Sequence, residues 1–167
     1  MSTCANRTCA SRIRVSQTVS TSPEATRLSG ARLGARLCPG DVVAMIGELG
    51  AGKTCFVQGL VQGLGASIEA TSPTFVMVNQ YRGRHVVYHV DAYRAGSMTE
   101  LLDLGLDEML GGDGVTVIEW ADRLLPLLPS QTITVRISGL GDEPREIVVE
   151  EPVDRSGPGD PVSHAGH

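Results

Sequence analysis

The sequence predicts a three-layer α/β domain whose central sheet is mostly parallel, with antiparallel strands added. A short apolar run at 41–46, rich in β-branched residues, leads into a glycine-rich loop, and a helical pattern follows from 53 to 64. Two further strand patterns, at 86–90 and 115–118, each end in a carboxylate. Buried strands that alternate with helices are typical of a parallel sheet covered on both faces.

The other elements follow from weaker signals. Ser22 is a candidate N-cap, Pro23 suits the first helical position, and the helical pattern runs from there to Pro39-Gly40. The remaining predicted elements are a strand at 74–78, a helix at 97–110 broken near Gly105, and an antiparallel hairpin of 131–138 with 146–149. Together these elements make one α/β domain.

The loop after the first strand reads Gly-Glu-Leu-Gly-Ala-Gly-Lys-Thr at 47–54, which is the spacing of a phosphate-binding loop. Its glycines let backbone N–H groups approach phosphate closely, and the helix N-terminus favours the same anion. Lys53, the only lysine of the chain, suits the β- and γ-phosphates, and the Thr54 hydroxyl suits Mg²⁺. The sequence therefore predicts a P-loop NTPase-like domain that binds ATP and Mg²⁺. The predicted nucleotide contacts in this loop are Glu48, Gly50, Ala51, Gly52, Lys53, Thr54 and Cys55.

Two carboxylates are candidates to complete the metal site. Asp91 follows the strand pattern at 86–90, and Glu119 follows the one at 115–118. Ligands bind open α/β sheets at the carboxyl ends of the strands, so either carboxylate is placed to hold the metal or to act on the attacking water. The predicted catalytic residues are thus Lys53, Asp91 and Glu119, and the predicted metal ligands are Thr54, Asp91 and Glu119.

Composition narrows the function classes. With 14 Lys and Arg against 19 Asp and Glu, the net charge of −5 argues against a domain that grips nucleic acid alone. No segment approaches the ~20 apolar residues of a membrane span. The four cysteines have neither CxxC nor zinc spacing, which favours reduced thiols in a cytoplasmic protein.

Three regions are expected along the chain. Residues 1–19 are predicted to be a flexible N-terminal extension, and residues 20–150 an ATPase domain built around the phosphate loop. Residues 151–167 are rich in Pro, Gly, Ser and Asp, so they are predicted to be a disordered tail.

Five short motifs occur together in an order that resembles one family. They are the loop at 47–54, Ser-Pro-Thr-Phe at 72–75, His-Val-Asp-Ala-Tyr-Arg at 89–94, Leu-Gly at 104–105 and Ile-Glu-Trp at 118–120. Over about residues 20–150 the chain resembles the TsaE (YjeE) family, the P-loop ATPases of bacterial tRNA threonylcarbamoyladenosine biosynthesis. The departures at Glu48, Cys55 and Ala92 remove no phosphate or metal contact.

The resemblance implies partners as well as a reaction. It implies an ATPase that drives turnover of a complex with the catalytic subunit of a threonylcarbamoyl transferase and that enzyme's inactive paralogue, which are of the TsaD and TsaB type. Transfer RNA would be reached only through that complex. The resemblance also implies that Thr54 and Glu119 hold the metal, with Asp91 as a second acidic residue. It places Thr26 near the adenine and Arg145 at the nucleotide, and makes 72–75 a switch-like loop.

Three other functions use similar loops. A small-molecule kinase usually adds an arginine-bearing lid, and no such segment is found. A GTPase would need an Asn-Lys-x-Asp motif, which a chain with one lysine at position 53 cannot contain. A non-hydrolysing adaptor, in which ATP only promotes assembly, remains open because binding and hydrolysis use the same residues.

Two aromatic residues near the carboxylates have competing interpretations. Strand alternation predicts that Trp120 faces away from Glu119, where core packing or a partner surface competes with a nucleotide contact. His89 is predicted to be a packed structural residue on the face opposite Asp91.

Overall fold

The computed structural model describes residues 12–66, 78–95, 97–110 and 112–153. Its strands are β1 (Ile13–Ser20), β2 (Val42–Ile46), β3 (Val78–Arg82), β4 (Val86–Asp91), β5 (Val115–Glu119), β6 (Ile133–Ser138) and β7 (Arg145–Pro152). Its helices are α1 (Pro23–Gly34), α2 (Lys53–Gly63), α3 (Met98–Asp103) and α4 (Leu106–Leu110), with 3₁₀ turns at Ala121–Arg123 and Leu125–Leu127. Most of the predicted elements are present; residues 74–77 of the predicted strand at 74–78 lie outside the described residues.

The seven strands form one sheet in the order β1-β7-β6-β2-β5-β4-β3. The four central strands, β6, β2, β5 and β4, are parallel to one another, whereas β3, β7 and β1 are added antiparallel. The predicted mostly parallel sheet with antiparallel additions is therefore confirmed. The carboxyl ends of the four parallel strands meet at one edge, which is where the site lies.

Two apolar clusters cover the two faces of the sheet and give the fold its three layers. On one face, side chains such as Met45 and Val117 pack against Phe56 and Leu60 of α2. On the other face, Ala44 and Ile118 belong to a cluster with Leu101 of α3. The β2 and β5 strands are buried on both faces, which explains why they appear in the sequence as continuous apolar runs rather than as alternating patterns.

Helices α1 and α2 approach each other through glycines. A Cβ atom at Gly59 would lie 1.8 Å from the carbonyl oxygen of Arg27, and one at Gly30 would lie 2.0 Å from that of Phe56. Cβ atoms at Gly34 and Gly63 would lie 2.1 and 2.3 Å from backbone oxygens of the facing helix. The two backbones are therefore in direct contact, which fixes the start of α1 relative to the phosphate loop that precedes α2.

Helix α1 begins as predicted but ends early. The Ser22 side chain accepts a hydrogen bond from the backbone N–H of Ala25 at 3.1 Å, and Pro23 occupies the first turn. The helix ends at Gly34, before the predicted stop at Pro39-Gly40. Leu37 is still 1% exposed, so the apolar pattern marked burial correctly beyond the end of the helix.

Strand β1 was not predicted. It pairs with β7 along its whole length, from Ile13 opposite Pro152 to Ser20 opposite Arg145. Residues 13–19 therefore belong to the folded domain and not to a flexible extension. The other boundary shifts too, because β7 runs to Pro152 with Glu151 buried and ion-paired to Arg36. Residues 1–11 and 154–167 lie outside the described part of the chain.

Ile13, Val15 and Val19 of β1 are all more than half exposed, which explains why the strand gave no core signal in the sequence.

Helices α3 and α4 are separated at Gly105, as the break in the helical pattern predicted. Gly105 has a φ of +89°, which a glycine adopts without strain. In the residues that the structure describes, no helix combines the length and the apolar character needed to cross a bilayer.

Candidate functional site

The phosphate loop joins the end of β2 to the start of α2. Gly50 and Gly52 both have positive φ angles, +85° and +106°, which the loop needs to turn its backbone towards the helix axis. Lys53 is the first residue of α2, and Thr54 follows in the first turn. The sequence pattern and the three-dimensional arrangement of strand, loop and helix therefore agree.

Lys53 lies inside the loop and is only 6% exposed. Its ammonium group donates to the carbonyl oxygens of Gly47 at 2.5 Å and Glu48 at 2.9 Å. Burial lowers the pKa of Lys53, and the carboxylates of Glu119, Asp122 and Asp91 oppose that effect by favouring the charged form. The cation is thus surrounded by acidic groups at the edge of the sheet.

Trp120 lies over this lysine. The Lys53 nitrogen is 4.0 Å from the centroid of the indole ring, within the range of a cation–π contact. The exposed ring of Tyr93 packs against the indole, with centroids 4.9 Å apart. The prediction that Trp120 faces away was wrong, because β5 ends at Glu119 and Trp120 adopts a φ of 58°. This left-handed conformation, which costs of order 1–3 kcal/mol in a non-glycine residue, turns the ring back towards the loop.

The two predicted carboxylates lie side by side. Asp91 and Glu119 are partners in the parallel pairing of β4 and β5, and they are 5% and 3% exposed. The Thr54 hydroxyl lies 3.4 Å from Glu119 Oε1. Asp91 accepts from the backbone N–H of Tyr93 at 3.0 Å and pairs with Arg94 at 3.3 Å. Glu119 is therefore the carboxylate nearer to the loop hydroxyl, and Asp91 is held by the turn that follows its own strand.

His89 lies on the same face of the sheet as Asp91, two residues earlier in β4. The prediction that it faces away was wrong, because alternating side chains return to the same face at every second residue. Its Nε2 atom is 3.5 Å from Glu119 Oε1, and the ring is completely buried. His89 thus belongs to the surroundings of the candidate metal site.

The donor set at this edge suits Mg²⁺ bound together with a nucleotide. Among the described residues, no group of three or more His, Cys, Asp and Glu side chains is placed to hold a metal ion. Mg²⁺ in nucleotide sites is usually bound by one or two protein oxygens plus phosphates and water. The Glu119 and Asp91 carboxylates are the one or two acidic ligands of that pattern, and the Thr54 hydroxyl beside Glu119 adds a neutral oxygen.

A cavity of about 350 Å³ opens on the α1 side of the phosphate loop. Thr26 and Arg145, the two predicted nucleotide contacts outside the loop, both line it, as do Ala51, Gly52 and Cys55. Thr26 is 3% exposed, shares a 2.7 Å hydrogen bond with Ser20, and presents its methyl group to Gly52. The structure therefore brings both residues to the loop.

Arg145 also braces the loop. Its guanidinium donates to the carbonyl oxygens of Ala51 at 3.1 Å and Gly50 at 3.4 Å, as well as to Gly141 at 3.1 Å. These bonds tie the β6–β7 connection to the loop. Glu48, by contrast, is exposed and lines a second cavity between the loop and the end of β6.

The family model described as "Threonylcarbamoyl adenosine biosynthesis protein TsaE" matches residues 20–147 of the chain. The chain belongs to the TsaE family.

Relatives in this family are similar over most of the chain. The TsaE protein of Treponema pallidum, named as a tRNA threonylcarbamoyladenosine biosynthesis protein, is 46% identical over 131 residues, which are 78% of this chain and 97% of that protein. The Bacillus subtilis protein of the same name is 41% identical over 126 residues, which are 75% of this chain and 78% of that protein. The crystal structure of Bacillus subtilis YdiB matches with a TM-score of 0.72 and 33% identity, over 84% of this chain and 88% of that one.

The sequence did not identify every residue at this TsaE-family site. Asp122 acts electrostatically on Lys53 and follows the strand by three residues, but it was not predicted. Ser20 was assigned to the domain boundary, although it is buried and bonds Thr26. Ser20 was missed because the edge strand that carries it was not predicted. Asp122 could have been noticed as an acidic residue that closely follows Glu119.

The fluorescence of Trp120 is expected to change when a nucleotide binds. Lys53 contacts this ring, so any movement of the cation towards phosphate alters the surroundings of the indole. Trp120 is the only tryptophan, so the emission of the whole chain reports on this position. Titration with MgADP should shift emission intensity with a saturating curve. Unchanged emission at a concentration where equilibrium dialysis shows full binding would contradict the prediction.

Proposed function

We propose that this chain is a Mg²⁺-dependent ATPase required for the threonylcarbamoyladenosine modification of tRNA. In this proposal, ATP hydrolysis drives turnover of a cytoplasmic complex with a TsaD-type threonylcarbamoyl transferase and its TsaB-type inactive paralogue. The observation that carries it is the meeting of the phosphate loop with Glu119 and Asp91 at one edge of the sheet. The relatives named as tRNA threonylcarbamoyladenosine biosynthesis proteins supply the pathway.

The backbone of the loop and Lys53 are proposed to hold the triphosphate. The N–H groups at the start of α2 would face a phosphate bound at the helix N-terminus, and the Lys53 ammonium adds a positive charge there. The ammonium now donates to two loop carbonyls, so binding exchanges those bonds for contacts with phosphate oxygens. The adenine and ribose would occupy the cavity beside Thr26 and Arg145. Ala51 and Cys55, which line that cavity, and Glu48, whose carbonyl oxygen accepts from Lys53, complete the proposed contacts.

Thr54, Glu119 and Asp91 are the proposed holders of Mg²⁺. The metal would neutralise charge on the phosphates and leave the protein to orient the reacting groups. Glu119, nearer to Thr54, is the stronger candidate for a direct or water-mediated ligand. Asp91, fixed by Tyr93 and Arg94, is the candidate for organising the metal or the attacking water. The catalytic set is thus Lys53, Glu119 and Asp91.

A partner is proposed to complete the site. The two arginines that the structure places at its edge are both engaged, Arg94 with Asp91 and Arg145 with the loop carbonyls. An arginine that stabilises the transition state in related phosphoryl-transfer enzymes is often supplied by another protein, and it accelerates hydrolysis by roughly 10³- to 10⁵-fold. Hydrolysis by the chain alone is therefore expected to be slow. Transfer RNA is expected to act through the complex, since the net charge of the chain is −5.

The test is ATP hydrolysis by the purified chain, alone and then with the transferase pair and tRNA. We expect slow hydrolysis that the complex stimulates, and the stimulation should be lost in Glu119→Ala. Glu150→Ala, which removes a half-buried carboxylate from β7, serves as the matched control and should retain it.

Three results would contradict the proposal. Phosphoryl transfer to a small metabolite, with no response to the partners, would indicate a kinase. Nucleotide-dependent assembly of the complex without hydrolysis would indicate an adaptor. Failure to bind ATP at all would show that the loop is only a glycine-rich turn.

A further inference from the structure

His89 is a buried polar residue that the packing of the protein does not explain. The ring is 0% exposed, and neither Nδ1 nor Nε2 has a hydrogen-bond partner among the described residues. A buried donor or acceptor without a partner loses its hydration and gains nothing in return, and native proteins seldom leave one so without a reason. An apolar side chain of similar size would fill the same space without that cost. The histidine therefore needs an explanation beyond packing.

The position of the ring supplies one. His89 pairs with Val117 in the β4–β5 ladder, two residues before the pair formed by Asp91 and Glu119, and therefore on the same face. Its Nε2 atom is 3.5 Å from Glu119 Oε1, just beyond a good hydrogen bond. The same oxygen lies 3.4 Å from the Thr54 hydroxyl. Two potential donors, one from the sheet and one from α2, thus approach a single carboxylate oxygen.

We propose that His89 is a positioning residue for Glu119: its Nε2–H donates to Oε1 and fixes the rotation of the carboxylate for metal binding. The inference rests on the proposed function, in which Glu119 serves Mg²⁺. A small shortening of the 3.5 Å distance between Nε2 and Oε1 would form this hydrogen bond. Catalytic hydrogen bonds commonly tighten in this way once the ligands are present. With Oε1 held from both sides, Oε2 is left for the cation or its water. Hydrogen-bonded partners of ligating carboxylates of this kind set metal affinity without touching the metal.

A purely structural histidine would behave differently. Its replacement by an apolar residue would change the stability of the fold and leave the metal dependence of nucleotide binding as it was. A positioning residue, in contrast, should affect Mg²⁺ affinity and have no effect on nucleotide binding in the absence of metal. The two roles are therefore separable by a single pair of titrations.

The experiment uses the full chain and ADP, with binding followed by Trp120 fluorescence and checked by calorimetry. Each variant is titrated with ADP in EDTA, and then with Mg²⁺ at fixed ADP. His89→Leu removes both ring nitrogens, whereas His89→Gln keeps an N–H donor at the ε position. His89→Met is a second donor-free variant that adapts better to the cavity shape. Thr116→Val is the matched control, because it removes a fully buried hydroxyl on the opposite face of the sheet.

We expect the donor-free variants to raise the half-saturating Mg²⁺ concentration by roughly 10- to 100-fold. His89→Gln should recover most of that loss, and Thr116→Val should show none of it. The affinity for ADP in EDTA should be the same in all of them. Folded His89→Leu or His89→Met protein with wild-type Mg²⁺ dependence would overturn the inference, as would a glutamine variant that behaves like the leucine one. Absence of ADP binding by the wild type in either titration would instead overturn the proposed function itself.

Discussion

Gly59→Ala is expected to destabilise the protein by more than about 3 kcal/mol, the upper end of the usual cost of overpacking a core. In an unobstructed helix the same change would stabilise by up to ~1 kcal/mol, because alanine is the better helix former. Here the new Cβ atom would lie 1.8 Å from a backbone carbonyl oxygen of α1 and 2.6 Å from its carbon. Backbone atoms cannot rotate away as a side chain can, so the two helices must separate. Urea-induced unfolding, followed by circular dichroism, measures the effect.

Gln62→Ala is the matched control for this helix. Gln62 is exposed one turn further along α2, and its replacement should change stability by only a few tenths of a kcal/mol. Gly30→Ala tests the same contact from the α1 side, where the new atom would lie 2.0 Å from the Phe56 oxygen. If Gly59→Ala were as stable as the wild type, the direct backbone contact between α1 and α2 would be wrong.

Lys53→Ala is expected to lower ATP turnover by roughly 10²-fold or more, equivalent to several kcal/mol of transition-state stabilisation. The reason is the loss of the only cation that the loop supplies to the phosphates. Lys53→Met should have the same effect, because methionine keeps an unbranched stem but no charge. Steady-state phosphate release in the presence of the partners provides the measurement.

A measurement of stability separates a loss of turnover in the Lys53 variants from unfolding. Burial lowers the pKa of Lys53, which means that the folded protein disfavours the charged form relative to water. The bonds that Lys53 donates to two loop carbonyls offset this cost, so the melting temperature of the nucleotide-free Lys53→Met protein should stay close to that of the wild type. Arg82→Met, at an exposed basic residue of β3, controls for the general loss of a positive charge. Full turnover in a folded Lys53→Ala variant would rule out the phosphate-loop interpretation.

Much of the fold could be predicted because the central strands have a simple signature. β2 and β5 are buried on both faces, so their side chains are nearly all apolar. The phosphate loop follows the end of β2, and Glu119 is the last residue of β5. The loop between β2 and α2 was predictable because its glycines and lysine are required by the backbone geometry that binds phosphate. Strand β1 was missed for the opposite reason. Its alternating side chains lie on an exposed edge, where burial imposes no recognisable pattern.

The site was predicted as far as side chains follow ideal strand geometry. Asp91 and Glu119 are neighbours because both end adjacent parallel strands, which the patterns at 86–90 and 115–118 implied. Trp120 departs from alternation because its backbone is left-handed directly after the strand. Tryptophan rarely adopts this conformation, so the residue type does not predict it. Asp122 became relevant only through that turn, which returns the chain towards Lys53. Such through-space neighbours cannot be read from spacing.

The pairing of β1 with β7 also bears on how the chain can be cut and rejoined. The backbone N–H of Val153 donates to the carbonyl of Arg12 at 2.7 Å, so the first and last described residues are hydrogen-bonded neighbours. Among the described strands, β7 is the only neighbour of β1. A truncation before residue 145 would remove β7, so β1 would lose the strand with which it pairs. A short peptide linking residues 12 and 153 would span almost no distance. New ends opened in an exposed loop would then yield a circular permutant with the same sheet.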